Sequence, residues 1–330
     1  MSGKKVKKNY YDQGAKLFWL DVAEPEYSVY DFKNYRYQLG SVQEVGNIYP
    51  KYYLKAFYDG MTAEGDAMPI SLIRSAWAGS AKYGALVWSG DIVSSFECFQ
   101  RQVQAGLNMA IAGIPWWTTD IGGFHGARTD DPDFHRLYIR WFEYGCFCPV
   151  MRLHGNRNPQ EGYGAEQIGS GSDNEIWSFG DKAYEISKKY IFLRERLRDY
   201  IRAQMKKAHE DGTPVMRPVF YDFPADQESW NVEDAYLFGP DLYVAPVMED
   251  HVTEREVYLP DGTAWFNAWT GEKYEGGQNV TVAAPLDTIP VFVKGRSGCR
   301  KRCEHFALNK RMLPLTGSRR TATKNPVLTM

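Results

Sequence analysis

The chain has 330 residues and a formal net charge of −2, with 44% hydrophobic and 24% charged residues. This length and balance suit one large globular domain or two ordinary ones. The small net charge favours neither a nucleic-acid partner nor a membrane partner. No stretch of about eighteen apolar residues occurs, and no apolar segment of a signal peptide follows the basic start. The oligomeric state stays open.

The chain is rich in aromatic residues, which make up 15% of it and include 10 Trp and 22 Tyr. Such rings stack on the apolar faces of sugars, but they also fill large cores, and composition leaves both interpretations open. The five cysteines are an odd number without supporting histidines, and neither an H-E-x-x-H motif nor a spaced C-x-x-C pair occurs. We therefore predict free thiols, a cytoplasmic protein and no metal site.

Short apolar runs in the first half of the chain each lead to a polar residue that is able to do chemistry. Such runs between polar flanks are typical of buried strands. Helical patterns at 51–64, 96–107 and 132–148 lie between them, which predicts parallel βα units, with a loop over 24–50. The five runs are 17–21, which ends on Asp21, 69–73 before Arg74, 85–88 before Asp91, 109–117 before Asp120, and 149–151 before Arg152 and His154.

The second half changes from helical to strand-like patterns. Residues 181–208 predict a helix with one apolar face, ended by Gly212. After Pro214, short apolar runs alternate with turn signals, which is typical of antiparallel strands. We predict an α/β fold: about five βα units in 1–212, forming the C-terminal part of a (β/α)8 TIM barrel, followed by an antiparallel β-sandwich in 213–297.

The end of the chain, 298–330, predicts a basic irregular tail. From residue 294 onward there are ten Lys or Arg residues against one acid, without periodicity. One interpretation is a solvated tail, and another is a stretch foreign to the domain, such as a misread frame or a cloning remnant. A nucleic-acid-binding arm is a third.

Asp21 and Asp91 are the candidate catalytic acids. Both follow an apolar run, and strands of a barrel point their carboxyl ends into one mouth. Two carboxylates in one mouth suit glycosidic cleavage, in which one attacks the anomeric carbon or guides a water and the other protonates the leaving oxygen. The alternative is that each Asp caps the helix that follows it.

A second group of polar residues is able to bind sugar hydroxyls. Arg152 and His154 alternate along one predicted strand and so share a face, and Arg74 follows another strand. The alternative for these side chains is ion pairing at the barrel rim. Asp120, which we expect to be exposed, lies between aromatic residues and a glycine pair, which suits a bidentate grip on vicinal hydroxyls with close backbone approach.

These motifs together resemble glycoside hydrolase family 31 over residues 15–294. The matching strings, in the family's order, are Trp19-Leu20-Asp21-Val22-Ala23-Glu24-Pro25, Arg74-Ser75, Trp88-Ser89-Gly90-Asp91, Asp120-Ile121-Gly122-Gly123-Phe124 and Met151-Arg152-Leu153-His154.

The resemblance implies a retaining α-glycosidase that needs no cofactor. Members of the family cleave terminal α-xylosides or α-glucosides of oligosaccharides, and some transfer sugars to other acceptors. The implied roles are Asp21 as nucleophile, Asp91 as general acid and then general base, Arg74, Asp120 and His154 as sugar-holding residues in the −1 subsite, and Trp19, Trp88, Phe124 and Arg152 as its lining.

The chain departs from the family pattern at both ends. About sixteen residues precede the nucleophile strand, where the family has a β-sandwich and three barrel strands, and 290–293 runs into the basic stretch. We therefore expect a fragment, possibly frame-disrupted near residue 295, with exposed sheet edges and with poor solubility or low activity when alone. The alternatives to a hydrolase are a non-catalytic carbohydrate-binding protein and an α-transglycosylase.

Overall fold

The computed structural model describes residues 3–24, 34–163 and 168–295. An α/β part comes first, and an antiparallel β part follows it. The basic tail predicted at 298–330 lies outside the described residues.

The α/β part contains a parallel sheet, helices and two small hairpins. Its strands are β1 (Phe18–Leu20), β2 (Arg36–Tyr37), β3 (Gly40–Ser41), β4 (Ser71–Ile73), β5 (Ala85–Trp88), β6 (Trp117–Thr118), β7 (Arg157–Tyr163) and β8 (Ile168–Ser172). Its α-helices are α1 (Gly3–Val6), α2 (Val42–Val45), α3 (Tyr49–Ala63), α4 (Phe96–Ile111), α5 (Pro132–Cys146), α6 (Gly180–Arg196) and α7 (Arg198–Asp211).

The parallel sheet has the strand order β1-β4-β5-β6. Leu20 pairs with Ile73, Ile73 with Val87, and Val87 with Trp117, and all four side chains are buried. Parallel strands buried in this way carry continuous apolar runs, as the sequence predicts. Because the strands run in one direction, their carboxyl ends meet at one edge of the sheet. This parallel sheet is part of the TIM barrel that the sequence predicts.

The fifth predicted strand, 149–151, does not form as a regular strand. The Val150 N–H donates to the carbonyl of Trp117, so the segment runs beside β6. However, Pro149 has no N–H, and Arg194 donates to the carbonyls of Cys146, Cys148 and Pro149. A side chain therefore occupies backbone acceptors that a ladder would use.

Two predicted helix boundaries also differ from the structure. Helix α4 continues to Ile111, so Met109, expected in a strand, is helical, and β6 is correspondingly short. The long helix predicted at 181–208 is two helices that meet at Leu197, where ψ is 1°. Leu197 and Ile201 are both buried at this junction, and Gly212 ends α7 with a φ of 77°.

The second part is an antiparallel β-sandwich. A six-stranded sheet has the order β14-β13-β16-β11-β10-β9, and β12 pairs with β15 in a second sheet. The elements are β9 (Met216–Arg217), α8 (Val219–Asp222), β10 (Tyr236–Phe238), β11 (Leu242–Val244), β12 (Glu254–Leu259), β13 (Ala264–Asn267), β14 (Lys273–Glu275), β15 (Gln278–Ala283) and β16 (Val291–Lys294).

The six-stranded sheet is covered on both faces. In β10, Tyr236 and Phe238 belong to the core shared with the α/β part, whereas Leu237 packs in the core between the two sheets. Side chains alternate between the faces of a strand, so a sheet with two covered faces has no polar side here.

A buried arginine on α5 connects the two parts. Arg140 donates to the carbonyls of Pro285, Thr288, Val252 and Ala284 in the β part. It also forms an ion pair of 3.2 Å with Glu143, one turn further along the helix.

The helices within 3–24, 34–163 and 168–295 include none with the length and apolar character that a membrane span requires.

Candidate active site

Asp21 lies at the carboxyl edge of the sheet, directly after β1. The next residue, Val22, has a φ of 54°, and its N–H donates to Oδ1 of Asp21 over 2.8 Å. This positive φ turns the backbone sharply after Asp21, although such a conformation is costly for a β-branched residue. The Asp21 side chain is 50% exposed, which leaves its carboxylate accessible.

Arg74 follows β4 and holds two acids of the neighbouring segment. Its Nη1 lies 3.1 Å from Oδ1 of Asp21. Its Nε and Nη2 donate to the carboxylate of Glu24 over 3.0 and 2.8 Å, a bidentate pair. The Arg74 N–H also donates to the carbonyl of Leu20. Arg74 therefore fixes the turn that carries Asp21.

Asp91 is exposed and follows β5 on a loop that passes Arg74. Gly90 has a φ of 73°, and a Cβ there would lie 3.8 Å from Cγ of Arg74. Helix α4 begins beyond Asp91 and is capped by Ser95, whose Oγ accepts from the Cys98 N–H. The alternative role of Asp91 as the cap of that helix is therefore wrong.

Asp120 is buried, not exposed as the sequence predicts, and its Oδ1 forms an ion pair with Nη1 of the partly buried Arg152. Burial raises the pKa of Asp120 to about 6, with Arg152 opposing the rise and the charge of Asp91 adding to it. Within the described part of the chain, the buried Oδ2 of Asp120 and Nη2 of Arg152 have no hydrogen-bond partner. Such atoms need a partner, and a bound hydroxyl would supply one.

Aromatic side chains line one side of these polar groups. Trp19 lies edge-on to Trp88, with ring centroids 5.6 Å apart, and edge-on to His154 at 4.9 Å. The Arg152 guanidinium lies 4.8 Å from the Trp19 ring centroid and 5.7 Å from that of Trp88. Trp88 is buried and Trp19 is 48% exposed, so part of the Trp19 ring is open to a ligand.

His154 stacks on Phe124, with centroids 5.4 Å apart. Burial first, and then the charges of Arg152 and Arg157, lower the pKa of His154 to about 4. The imidazole is therefore neutral near pH 7 and offers one donor and one acceptor.

The structure brings the predicted site residues to one edge of the sheet. Arg74 and Arg152 form the ion pairs that the alternative interpretation predicts, and their binding role stays a prediction. The catalytic roles of Asp21 and Asp91 stay predictions. The part of the chain that the structure describes contains no group of three or more His, Cys, Asp or Glu side chains able to hold a metal ion.

Two residues that contribute to the site have no predicted role from sequence. Glu24 lies in the first motif, three residues after Asp21, so the sequence places a second acid near the candidate nucleophile but does not show that it binds Arg74. Arg157 is buried beneath the loops of the site. It sits in a polar stretch that looks like an ordinary surface loop, so the sequence carries no signal for it.

Family models match both parts of the chain. The TIM-barrel domain of glycosyl hydrolases family 31 matches residues 2–204, and the C-terminal domain of the same family matches residues 212–297. The first match alone covers more than half of the chain.

Individual relatives agree with the family models. An α-xylosidase of Saccharolobus solfataricus is 36% identical over 87% of this chain and 38% of its own length. An uncharacterized family 31 glucosidase of Pseudescherichia vulneris is 61% identical over 47% of this chain and 29% of its own length. A crystal structure of a family 31 α-xylosidase from a soil metagenome, complexed with xylose, is 55% identical with a TM-score of 0.88, and the match covers 91% of this chain and 45% of that one.

The chain thus spans less than half the length of these relatives. The matched residues include the strands of the parallel sheet and the candidate site at their carboxyl edge. The chain therefore belongs to glycosyl hydrolase family 31.

Proposed function

We propose that this chain carries the catalytic residues of a retaining α-glycoside hydrolase that removes terminal α-linked xylose or glucose from oligosaccharides. The observation that carries the proposal is the half-exposed Asp21 carboxylate, held by Arg74 at 3.1 Å at the carboxyl edge of the sheet. The two relatives named as α-xylosidases favour xylose as the sugar.

In the first step, Asp21 attacks the anomeric carbon and the bond to the leaving oxygen breaks. Asp91 donates a proton to that oxygen, so the leaving group departs as an alcohol. Arg74 places its positive charge beside the Asp21 carboxylate and fixes the direction of that carboxylate by the ion pair. The product of this step is a covalent glycosyl-enzyme.

In the second step, a water attacks the same carbon from the side that the leaving group has vacated. The Asp91 carboxylate takes a proton from the water, and the bond to Asp21 breaks. Two displacements at one carbon retain the α configuration of the sugar.

The remaining polar groups hold the sugar. Oδ2 of Asp120 is placed to accept from a hydroxyl, and Nη2 of Arg152 to donate to one, since both atoms are buried and without a partner among the described residues. The neutral His154 is able to donate to a third hydroxyl. The open face of Trp19 offers an apolar surface to the sugar ring.

The test is hydrolysis of p-nitrophenyl α-xyloside and α-glucoside by a version of the protein that spans the full length of these relatives, with the anomeric form of the first released sugar read by proton NMR. We expect the α-anomer of the released sugar and a higher kcat/KM for the xyloside. A β-anomer as the first product would contradict the double displacement.

Variants and binding measurements separate the remaining alternatives. Asp21→Ala should lower turnover by at least about a thousandfold, whereas Asp59→Ala, at an exposed position on α3, should leave it unchanged. Turnover of Asp21→Ala within about tenfold of the parent would exclude this nucleophile. Calorimetric binding of an oligosaccharide without product release would favour a binding protein, and longer products at high sugar concentration would favour a transglycosylase.

A further inference from the structure

Arg157, the first residue of β7, is fully buried and spreads its guanidinium between three loops. Its Nε donates to Oδ1 of Asn174 over 2.8 Å, and its Nη1 donates to the Gly123 carbonyl over 2.8 Å and to Oγ of Ser94 over 3.4 Å. Its Nη2 donates to the Ile121 carbonyl over 3.1 Å. All four acceptors are neutral.

Two of the contacted loops carry residues of the proposed site. Ser94 follows Asp91, and Ile121 and Gly123 follow Asp120. Nη2 and Nη1 of Arg157 donate to two carbonyls of the loop after Asp120, which no regular strand pairs. Nη1 also donates to Ser94 in the loop after Asp91. Irregular backbone that is buried needs such partners.

Backbone hydrogen bonds join the same loops directly. The Phe124 N–H donates to the Ile92 carbonyl over 2.7 Å, and the Ser94 N–H donates to the His125 carbonyl over 2.8 Å. The Asn156 N–H, next to Arg157 in the chain, donates to the Phe124 carbonyl over 2.9 Å. The side chain of Arg157 therefore bonds to the same two loops that these backbone hydrogen bonds join.

The packing around Arg157 leaves little freedom. A Cβ on Gly123 would lie 2.6 Å from Cα of Ser94, and a Cβ on Gly155 would lie 2.4 Å from Cζ of Arg157. The Arg157 guanidinium lies 4.7 Å from the Phe134 ring centroid on helix α5. Because a planar guanidinium offers five donors in a fixed fork, a lysine or a neutral side chain would not reproduce these contacts.

We propose that Arg157 is a positioning residue that fixes the loop after Asp91 against the loop after Asp120. It thereby sets the place of the proton donor relative to the carboxylate that holds the sugar. The catalytic part of this inference rests on the proposed function, whereas the connection between the two loops does not.

The connection is tested by amide hydrogen exchange on the folded chain. In Arg157→Met, exchange at the amides of Ser94, Phe124 and Asn156 should rise by about tenfold or more relative to β4 and β5. Arg157→Lys should give a smaller rise. The matched control is Arg128→Met, because Arg128 is exposed and pairs with Asp130 at the surface, and it should change nothing. Unchanged exchange at the three amides in Arg157→Met would overturn the proposal.

A milder change covers the case in which Arg157→Met does not fold. Asn174→Ala removes only the acceptor of Nε and leaves the other three contacts in place. We expect a severalfold rise in exchange at the same amides, and no rise there would overturn the proposal.

The catalytic part is tested by the dependence on the leaving group. A xylosyl oligosaccharide needs a proton from Asp91, whereas α-xylosyl fluoride needs little acid assistance. In Arg157→Lys, kcat/KM should fall roughly tenfold to a hundredfold for the oligosaccharide and within about threefold for the fluoride. Equal losses on both substrates would show a purely structural role and overturn the positioning role. If a version of the protein that spans the full length of the family 31 relatives turned over neither substrate, the proposed function would fail, and the exchange result would still decide the connection between the loops.

Discussion

Nη1 of Arg74 lies 3.1 Å from Oδ1 of Asp21, and the pairing of β1 with β4 sets this contact. Leu20 pairs with Ile73 in the parallel register, so the residues that follow them come out side by side at the sheet edge. The backbone bond from the Arg74 N–H to the Leu20 carbonyl continues the register for one more step. The position of the candidate nucleophile thus follows from the sheet.

The first prediction concerns Glu24, whose carboxylate holds the other side of Arg74. Glu24→Gln removes the charge of a bidentate pair and should let the guanidinium turn away from Asp21. We expect kcat to fall by roughly tenfold to a hundredfold with KM changed less, as measured by steady-state hydrolysis of an aryl α-xyloside.

The matched control is Glu64→Gln, because Glu64 forms an ion pair with Lys7 away from the site. It should leave kcat unchanged. Equal kcat values for Glu24→Gln and the parent would mean that Glu24 does not position Arg74.

The second prediction concerns the titration of His154, whose pKa is about 4 in the folded chain and about 6.5 when unfolded. Between these values the unfolded chain binds more protons at this group than the folded chain does. The contribution of His154 to stability therefore rises with pH from about 4 to 6.5, is full above that window, and is lost as the pH falls.

Proton NMR of the histidine ring signals checks this directly. The chain has six histidines, and the signal that disappears in His154→Gln identifies the residue. We expect a midpoint near pH 4, shifted upward in Arg152→Met, which removes a positive charge near the imidazole. A midpoint near 6.5 in the parent chain would contradict the prediction.

The third prediction compares two glycines in one loop. Gly123 and Gly126 have φ values of 78° and 89°, but only Gly123 lacks room for a Cβ, which would meet Cα of Ser94 at 2.6 Å. Gly126→Ala should cost about 1–2 kcal/mol from the backbone conformation alone. Gly123→Ala should lower the free energy of unfolding by about 2 kcal/mol more, as measured by urea denaturation. Equal costs would show that the loops of Gly123 and Ser94 move apart without a cost in the free energy of unfolding.

The fourth prediction concerns the buried pair of Arg140 and Glu143 between the two parts of the chain. Burial raises the pKa of the Glu143 carboxyl to about 8, so Arg140 is the partner that favours its ionised form. Arg140→Met removes this partner and the donor to four carbonyls of the β part, and should cost about 3–5 kcal/mol in the free energy of unfolding. The double variant Arg140→Met/Glu143→Leu should cost less than the sum of the single variants, because the uncompensated carboxyl is gone. Additive costs would indicate that the pair does not couple.

The residues at the ends of strands were predictable because the signal for each of them is a short apolar run beside it in the sequence. Asp21, Arg74 and Asp91 each follow a short apolar run, and a parallel sheet brings such positions to one edge whatever lies between them. The antiparallel β-sandwich was predictable for a similar reason, since its turn residues mark the strand ends.

Features that depend on distant partners were not predictable. The segment 149–151 is apolar like a strand, but Arg194 binds the preceding carbonyls, and nothing in the run itself shows this. The role of Arg157 depends on carbonyls contributed by another loop. The apolar periodicity continues across Leu197, from α6 into α7, so the sequence pattern does not show where one helix ends and the next begins.

Trapping the glycosyl-enzyme shows most directly which residue carries the sugar. A 5-fluoro-α-xylosyl fluoride slows the second displacement, so the glycosyl-enzyme should accumulate and be detected by mass spectrometry of its peptides. We expect the added mass of one fluorinated xylosyl group on the Asp21 side chain and none on that of Asp91. A label on any other residue, with Asp21 unmodified in the inactivated protein, would contradict this expectation.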